Sequence, residues 1–364
     1  MSGIRAARVF TEAGWLGPSE VVLSDGRIDA VVPLDEGADV PDVLLVPGFV
    51  DLQVNGIDDI DVWSAEGLDW ERLDGRLVAQ GVTSWCPTLV TAPLDAYARP
   101  LASIAAHRAA GGPGRPDLVG THLEGPFLGG APGAHRRDLL APIDLEWLAD
   151  LPEHVRVVTL APELHGALDA IRLLVDRGIV VSLGHTTATH EQVHAAIDAG
   201  ATMATHLFNG MSGLHHREPG VAAAVLADDR VCAGLIADGV HVDPRMIDLA
   251  VRLLGRRTVL VTDAVAWRAG RVGAVGIALR DGAPRLPDGT LAGSALTMDA
   301  AIRVCVDRAG VPLWAAVHAA STAPARALGL LDRGDIAAGC RADLVELDHE
   351  LRVLRTWSGG RADR

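Results

Sequence analysis

The stretch VLLVPGFVDLQVNG, residues 43–56, begins as an apolar run and ends on two primary amides. A short continuous apolar run is typical of a strand buried on both faces of a parallel sheet. The two amides are Gln53 and Asn55. The stretch therefore predicts a buried strand that carries two amides at its C-terminal end.

The same texture recurs along the chain. Strand-like apolar runs occur in eight places: LLVPGFVDL, VTSWCPTL, LVGTHLE, VRVVTLAPE, IVVSLGH, TMATHLF, VCAGLIAD and TVLVTDA. Helical, Ala/Leu-rich segments such as HGALDAIRLLVDRG lie between most of them. Eight apolar strands alternating with helices predict an α/β fold, a (β/α)8 TIM-like barrel, whose active site forms at the C-terminal ends of its strands.

The two chain ends have a different pattern. SEVVLSDGRIDAVV contains two β-branched runs joined by Asp25-Gly26, a strong hairpin signal, and the tail CRADLVELDHELRVLRTW alternates like a strand. We therefore expect residues 1–45 and 336–364 to share a small β-sandwich domain. The barrel is expected over 46–335, with a β insertion around 271–293 that contains another Asp-Gly turn.

Composition restricts the partners and the compartment. The 364 residues carry a formal net charge of −15, which argues against nucleic acid and anionic membranes. No apolar run reaches the ~18 residues expected of a membrane span, and MSGIRAARVF lacks the apolar core of a secretory signal. The four cysteines of the chain form no C-x-x-C pair, so a reduced cytoplasm is expected. A disulfide framework is the less favoured alternative.

Chemically capable side chains end four of the predicted strands. Glu124 ends the third, His185 the fifth, His206 the sixth and Asp263 the eighth. One carboxylate and two imidazoles leave open positions on a divalent ion, the arrangement of a catalytic site. Asp263 can then act as general base on the water that the ion activates. Four other histidines are predicted to be surface residues: His154, His165, His190 and His194.

With these residues in place, the sequence resembles the N-acetylglucosamine-6-phosphate deacetylases of the amidohydrolase superfamily. The resemblance extends over nearly the whole chain, and the combination of HLEGP, THLFN and DGxH is its most specific part. It is carried by these motifs: PGFVDLQVNG (47–56), GVTSWCPTL (81–89), HLEGPF (122–127), GAH (133–135), GHT (184–186), THLFNGM (205–211), REPG (217–220), ADGVH (237–241), TDA (262–264), GSALTM (293–298), PARALGL (324–330) and GDIAAGCRADLVELD (334–348).

The resemblance implies a role for each matching position. Glu124, His185 and His206 match metal ligands, Asp263 matches the catalytic aspartate, and His135 matches the histidine that polarises the substrate carbonyl. Arg217 matches an arginine that reaches the sugar phosphate from a neighbouring subunit, which implies a homodimer or a larger oligomer. The implied substrate-binding set is Gln53, Asn55, Asn209, Gly210, Arg217 and His241.

The implied reaction is hydrolysis of the acetamide of N-acetyl-D-glucosamine 6-phosphate to D-glucosamine 6-phosphate and acetate, in amino-sugar catabolism. Primary amides are poor zinc ligands beside imidazoles and carboxylates. Gln53 and Asn55 therefore indicate one divalent metal ion per subunit, with zinc favoured and iron, manganese or cobalt open. Both amides are expected to hydrogen-bond the water or the groups around the ion.

Three alternatives stay open at this point. A deacetylase of N-acetylgalactosamine 6-phosphate differs only in the orientation of one hydroxyl. A cyclic amidase commonly uses His-x-His and a carboxylated lysine, but this sequence contains no lysine. A non-catalytic phosphosugar-binding barrel would not need Asp263. The loops after Gly56 (IDDIDVW) and after Ala264 (VAWRAGRVG) depart from the family pattern, which puts the identity of the sugar in question.

Overall fold

The structure, a computed structural model, describes residues 2–363. Eight parallel strands, β1 to β8, form a barrel, and each pairs with the next along the chain. Their bounds are Phe49–Val54, Val82–Leu89, Thr121–Glu124, Val155–Leu160, Val180–Leu183, Met203–Ala204, Cys232–Leu235 and Thr258–Leu260. The predicted (β/α)8 barrel is confirmed, and all eight predicted runs contribute a strand.

The barrel closes between β8 and β1 through a few specific bonds. The Asp263 amide donates to the Gln53 carbonyl at 2.9 Å, and Val54 forms a parallel bridge with Ala264. Below this bridge the Thr262 hydroxyl donates to Asp51 Oδ2 at 2.6 Å, and the Thr262 amide donates to Oδ1 at 3.2 Å. A buried carboxylate thus joins the first strand to the last.

Helices surround the barrel, and several of them bury one face. In Ala167–Asp176 the buried residues are Ala167, Ala170, Ile171 and Leu174, the three- and four-residue spacing of an amphipathic helix. Burying one such Ile or Leu contributes roughly 1.5–3 kcal/mol. The α-helices are Leu68–Val78, Ala98–Ala109, Leu145–Ala149, Ala167–Asp176, His190–Asp198, Gly220–Ala227, Pro244–Leu254, Met298–Arg303, Leu313–Ala320 and Thr322–Ala327.

Strands from both chain ends form two further sheets. One has three strands (Ser2–Ala6, Ser19–Ser24 and Arg27–Pro33), and the other has six (Arg8–Thr11, Gly14–Leu16, Leu44–Pro47, Leu344–Leu347, Val353–Ser358 and Arg361–Ala362). An apolar cluster that includes Val21, Leu45 and Trp357 takes side chains from both sheets. The proposed domain limits at residues 45 and 336 stay a prediction.

The backbone at Gly48 corrects one local prediction, and the turn at Asp25-Gly26 confirms another. The run LLVPGFVDL, expected as one strand, is two strands separated by Gly48, and the first belongs to the six-stranded sheet. A Cβ on Gly48 would lie 2.1 Å from Thr83 Oγ1, so the chain turns where only glycine fits. The Asp25-Gly26 hairpin is present, with φ of 51° and 76° at the turn, the two positive values of a type I′ turn.

The segment after β8 forms two short hairpins, Arg271–Val272 with Val275–Gly276 and Ala278–Arg280 with Ala283–Arg285. All four cysteines are free thiols. Within residues 2–363, no helix combines the length and the apolar character needed to cross a bilayer.

Candidate active site

The backbone turns sharply where the strands deliver their functional side chains. His185, His206 and Asp263 follow β5, β6 and β8 and have φ of 50°, 24° and 48°. This left-handed conformation is uncommon for non-glycine residues, although His and Asp adopt it more readily than most. Each turn ends the strand and directs its side chain into the barrel mouth. Glu124, the last residue of β3, points there without such a turn.

The three predicted metal ligands meet at one point. Glu124 Oε1 lies 3.1 Å from His185 Nε2 and 2.9 Å from His206 Nε2, and the two imidazole nitrogens are 3.1 Å apart. All three side chains are buried. We call Glu124, His185 and His206 the cation cluster. Sequence placement at three strand ends predicted this convergence.

Hydrogen bonds on the far side of each imidazole orient the ring. His185 Nδ1 lies 3.2 Å from the Ala131 carbonyl, and His206 Nδ1 lies 3.1 Å from the Asn209 carbonyl. A carbonyl only accepts, so each Nδ1 atom carries a proton and each ring turns its Nε2 toward the Glu124 carboxylate. If the Nε2 atoms are unprotonated, three lone pairs at about 3 Å repel unless a positive charge lies between them. A divalent cation fits this donor set of two imidazoles and one carboxylate.

The pKa directions are consistent with this demand for positive charge. Burial favours a raised pKa for Glu124, but the hydrogen bonds from His185 and His206 hold it well below its usual value. Burial disfavours the imidazolium of His206, yet the Glu124 carboxylate raises the pKa of His206. The carboxylate is therefore ionised, and a proton or a metal ion must balance it.

His135 stands beside the cation cluster. Its Nε2 is 3.9 Å from Glu124 Oε2, and its Nδ1 is 2.8 Å from the Thr91 hydroxyl. One ligand atom each from Glu124, His135 and His185 lie within 4.8 Å of one another, so His135 is near enough to be a fourth ligand. His206 makes shorter contacts to Glu124 and His185 than His135 makes to Glu124, which favours His206 over His135 as the third ligand. Burial lowers the pKa of His135 to about 3, so its ring is neutral and can donate a hydrogen bond.

The two amides of the opening stretch, which we call the amide pair, hold the carboxylates. Gln53 Nε2 donates to Glu124 Oε1 at 3.0 Å and to Asp263 Oδ1 at 3.2 Å. Asn55 Nδ2 donates to the same Asp263 oxygen at 2.6 Å. Burial, with the nearby Glu124 charge second, raises the pKa of Asp263 to about 8. Asp263 is therefore poised to hold and release a proton near neutral pH.

Sequence reasoning missed two hydroxyls that orient these groups. Thr205 donates to Gln53 Oε1 at 2.8 Å, which fixes the amide with its NH₂ group toward the carboxylates. Thr91 contacts His135 Nδ1 and so leaves Nε2 facing Glu124. Thr205 sits inside the motif THLFNGM and Thr91 just after GVTSWCPTL, but a lone threonine gives no signal of its partner.

A pocket of about 200 Å³ opens above the cation cluster. The segment after β8 supplies an apolar wall that includes Val272 and Val275 of the first hairpin and Leu291. The site residues that line the pocket are Asn55, Glu124, His135, His185, His206, Asn209, Gly210, His241 and Asp263. Nine of the eleven predicted site residues thus share one cavity, and Gln53 lies beneath it.

His241 and Arg217 differ in placement. The His241 ring donates from Nδ1 to Asp238 Oδ2 at 2.7 Å, which leaves Nε2 as its remaining nitrogen, while Asp243 caps the following helix. Arg217 is exposed and does not line the pocket of its own chain. His154, expected at the surface, is buried, because its Nδ1 pairs with the Thr121 hydroxyl at 3.0 Å.

The two atypical loops contact each other at the mouth. Asp58 forms an ion pair with Arg268 at 2.6 Å, and the Arg268 amide donates to the Asp58 carbonyl at 2.7 Å. Asp61 lies 3.7 Å from Arg271. The loop after Gly56 and the loop after Ala264, which both differ from the family pattern, therefore contact each other directly. This indicates that they form one structural unit.

A closed β/α barrel with a buried Glu-His-His cluster and a carboxylate beside it defines a metal-dependent hydrolase. Residues 44–362 match the model of the amidohydrolase family. The chain belongs to this family, within the N-acetylglucosamine-6-phosphate deacetylase group, and is a hydrolytic enzyme that acts on an amide.

Similar proteins extend over nearly the full length. An N-acetylgalactosamine-6-phosphate deacetylase from Escherichia coli is 41% identical, with 98% of each chain covered. An N-acetylglucosamine-6-phosphate deacetylase from Bos taurus is 38% identical over 95% of this chain and 88% of its own. Among solved structures, the Mycobacterium smegmatis N-acetyl-D-glucosamine-6-phosphate deacetylase superposes with a TM-score of 0.92 at 36% identity, covering 100% of both chains. The Thermotoga maritima enzyme gives 0.91 at 32% identity over 99% of each chain.

Proposed function

We propose that the chain removes the acetyl group of N-acetyl-D-glucosamine 6-phosphate, giving D-glucosamine 6-phosphate and acetate. The observation that carries this proposal is the convergence of Glu124, His185 and His206 beside an Asp263 held by two amides. One relative of known structure was solved in complex with N-acetyl-D-glucosamine-6-phosphate. Free cysteines support a cytoplasmic setting for this activity.

A divalent cation bound by the cation cluster would supply Lewis acidity, lowering the pKa of water and polarising the amide carbonyl. We propose one ion per subunit and zinc as its identity, because two imidazoles and one carboxylate suit zinc. Hydrogen bonds from His185 Nδ1 to the Ala131 carbonyl and from His206 Nδ1 to the Asn209 carbonyl would keep both rings correctly oriented as ligands.

The protein's own groups would move the protons. Asp263 takes a proton from the attacking water and later delivers it to the leaving nitrogen, so that the amide C–N bond breaks and acetate and the amine form. Its raised pKa suits both halves of this transfer. The neutral His135 would donate from Nε2 to the carbonyl oxygen as negative charge develops, a contribution of roughly 3–4 kcal/mol when such a donor is removed.

The phosphate would bind at the pocket rim. Asn209 and Gly210 form a strand-end turn there, and His241 is held by Asp238. Arg217 is exposed and outside its own pocket, which suits a residue contributed to a neighbouring subunit of a homodimer. A guanidinium binds phosphate bidentately, so it would add strong, directional contacts to a protein of high negative charge.

Mixing two inactive variants tests the shared site. Arg217→Gln and Asp263→Asn subunits, unfolded and refolded together, are expected to recover activity, because some sites combine an intact Arg217 with an intact Asp263. Each variant refolded alone is the control. If oligomers form but the mixture recovers no activity, Arg217 acts in the active site of its own chain or in no active site.

The galactosamine epimer is a second candidate substrate. The E. coli relative at 41% identity carries that activity in its name, against 38% for the B. taurus glucosamine enzyme. The atypical loops after Gly56 and Ala264 also border the mouth. Acetate release from both epimeric sugar phosphates, measured as kcat/KM with the zinc-loaded enzyme, decides between them. Turnover of neither would refute the deacetylase proposal.

A further inference from the structure

A second histidine cluster lies outside the active site, at the start of the helix His190–Asp198. The first five residues of this helix read HEQVH. His190 and His194 are four residues apart, which places both rings on one face of the helix. Two histidines with this spacing on a helix are a known arrangement for holding a zinc ion. Neither residue lines the catalytic pocket, so deacetylation does not account for them.

The two rings already converge. His190 Nε2 and His194 Nε2 are 3.0 Å apart, with ring centroids separated by 4.4 Å and planes inclined by 74°. Two nitrogens bound to one tetrahedral zinc ion, each at about 2.05 Å, are separated by about 3.3 Å. The two Nε2 atoms therefore need to move apart by only a few tenths of an ångström to bind one cation.

A charged carboxylate lies behind His194. Asp228 Oδ2 is 3.5 Å from His194 Nδ1. The Arg230 guanidinium donates two hydrogen bonds to the Asp228 carboxylate, at 2.9 and 2.7 Å. The bond from Arg230 lowers the pKa of Asp228 to about 2. Its negative charge favours a proton on His194 Nδ1, which leaves a lone pair on Nε2. Metal-binding histidines in proteins are oriented by carboxylates in the same way.

The first turn of the helix is also rigid. Thr189 and Gln192 form a capping box, in which the Gln192 amide donates to Thr189 Oγ1 at 3.3 Å and the Thr189 amide donates to Gln192 Oε1 at 2.9 Å. His190 is the residue directly after this cap. A rigid turn loses little entropy on binding an ion, so the pair is preorganised.

We propose that His190 and His194 form a peripheral binding site for a late first-row divalent cation such as Zn²⁺, Ni²⁺ or Cu²⁺. In the described part of the chain, the one group of three or more ligating side chains gathered closely enough for an ion is in the active site. The peripheral site thus provides two protein ligands, and water completes the coordination. We assign it binding and no hydrolysis, since neither histidine lines the catalytic pocket.

The proposal bears on how metal content is counted. An active-site ion and a peripheral ion together give two equivalents per chain, the same total as a two-metal active site. Metal content alone therefore does not reveal how many ions the catalytic site holds.

Equilibrium dialysis with Zn²⁺ at neutral pH tests the site. The double variant His190→Gln/His194→Gln is expected to bind one equivalent less than the wild type, whereas His165→Gln, which removes an exposed histidine elsewhere, should bind the same amount. Asp228→Asn keeps both ligands and is expected to weaken the peripheral site about 10–100-fold. Circular dichroism confirms that each variant is folded.

Equal Zn²⁺ stoichiometry in the wild type and the folded double variant would overturn the proposal. The 3.0 Å contact would then be a hydrogen bond between two imidazoles and nothing more. This readout does not use the sugar phosphate, so it stands or falls separately from the proposed deacetylation.

Discussion

The two sides of the barrel mouth have opposite electrostatic needs. In the cation cluster, three lone-pair donors approach within 3.1 Å and need a positive charge between them. In the amide pair, Gln53 and Asn55 present N–H groups to the carboxylates of Glu124 and Asp263. Gln53 Nε2 donates to both carboxylates, a place that a bridging cation would need to be free of N–H groups. The comparison therefore leads to the hypothesis that the end of β1 limits the site to one metal ion.

The largest effect is expected from removal of the proposed base, Asp263, which the amide pair holds beside the cation cluster. Asp263→Asn keeps an oxygen for the Gln53 and Asn55 donors but abolishes proton transfer. We expect kcat/KM to fall about 10²–10⁴-fold with zinc content unchanged, measured by acetate release and metal analysis. Unchanged kcat/KM would show instead that Asp263 is not the group that transfers the proton.

Replacing the amide pair by imidazoles should change the metal count. Gln53→His/Asn55→His removes the N–H bridge and adds two lone-pair donors beside Glu124 and Asp263. We expect one additional Zn²⁺ per chain and a fall in kcat/KM of about 10–100-fold, the usual effect of disturbing the groups around a metal site. Metal analysis should use a His190→Gln/His194→Gln background.

The matched control is Gln53→Ala/Asn55→Ala, which removes the donors without adding ligands. It should gain no ion. If the imidazole variant also gains none, backbone geometry at the end of β1, rather than amide chemistry, limits the site to one metal.

A smaller effect is expected from the hydroxyl that orients Gln53. Thr205→Val leaves Gln53 Oε1 buried without its 2.8 Å donor. The free energy of unfolding should fall by about 1–3 kcal/mol, the usual penalty for an unsatisfied buried polar group. Urea unfolding measures it, and Thr205→Ser, which keeps the hydroxyl, should be closer to the wild type. Equal losses in both variants would point to packing instead.

The smallest effect concerns the carboxylate that closes the barrel. Burial raises the pKa of Asp51 to about 7, although bonds from Thr262 and Gln53 oppose the shift. A raised folded-state pKa means that the folded protein binds more protons, so this group's stabilisation is present below pH 4 and is lost as pH rises toward 7. Asp51→Asn should remove about 1 kcal/mol of this decline between pH 6 and pH 8. Identical pH profiles of unfolding would show that Asp51 is charged throughout.

Sequence predicted the parts of the site that depend on topology. Because the ends of parallel barrel strands converge, the positions of Glu124, His185, His206 and Asp263 after four strands were enough to bring them together. The partners that orient them were not predictable, since Thr91 or Thr205 can donate to many acceptors and the pairing depends on exact side-chain rotation. Arg217 is exposed and outside the pocket of its own chain, and the role proposed for it depends on contacts that one chain does not contain.

The left-handed backbone at positions 185, 206 and 263 limits how this site can evolve. Asn, Asp, His and Gly tolerate such torsions, whereas β-branched residues are strongly disfavoured there. A descendant that abandoned the reaction would thus be expected to keep drawing from this short menu. Positions 185, 206 and 263 would be replaced by asparagine or glycine before valine or isoleucine. Such residues at these three positions would identify an inactive relative of the enzyme.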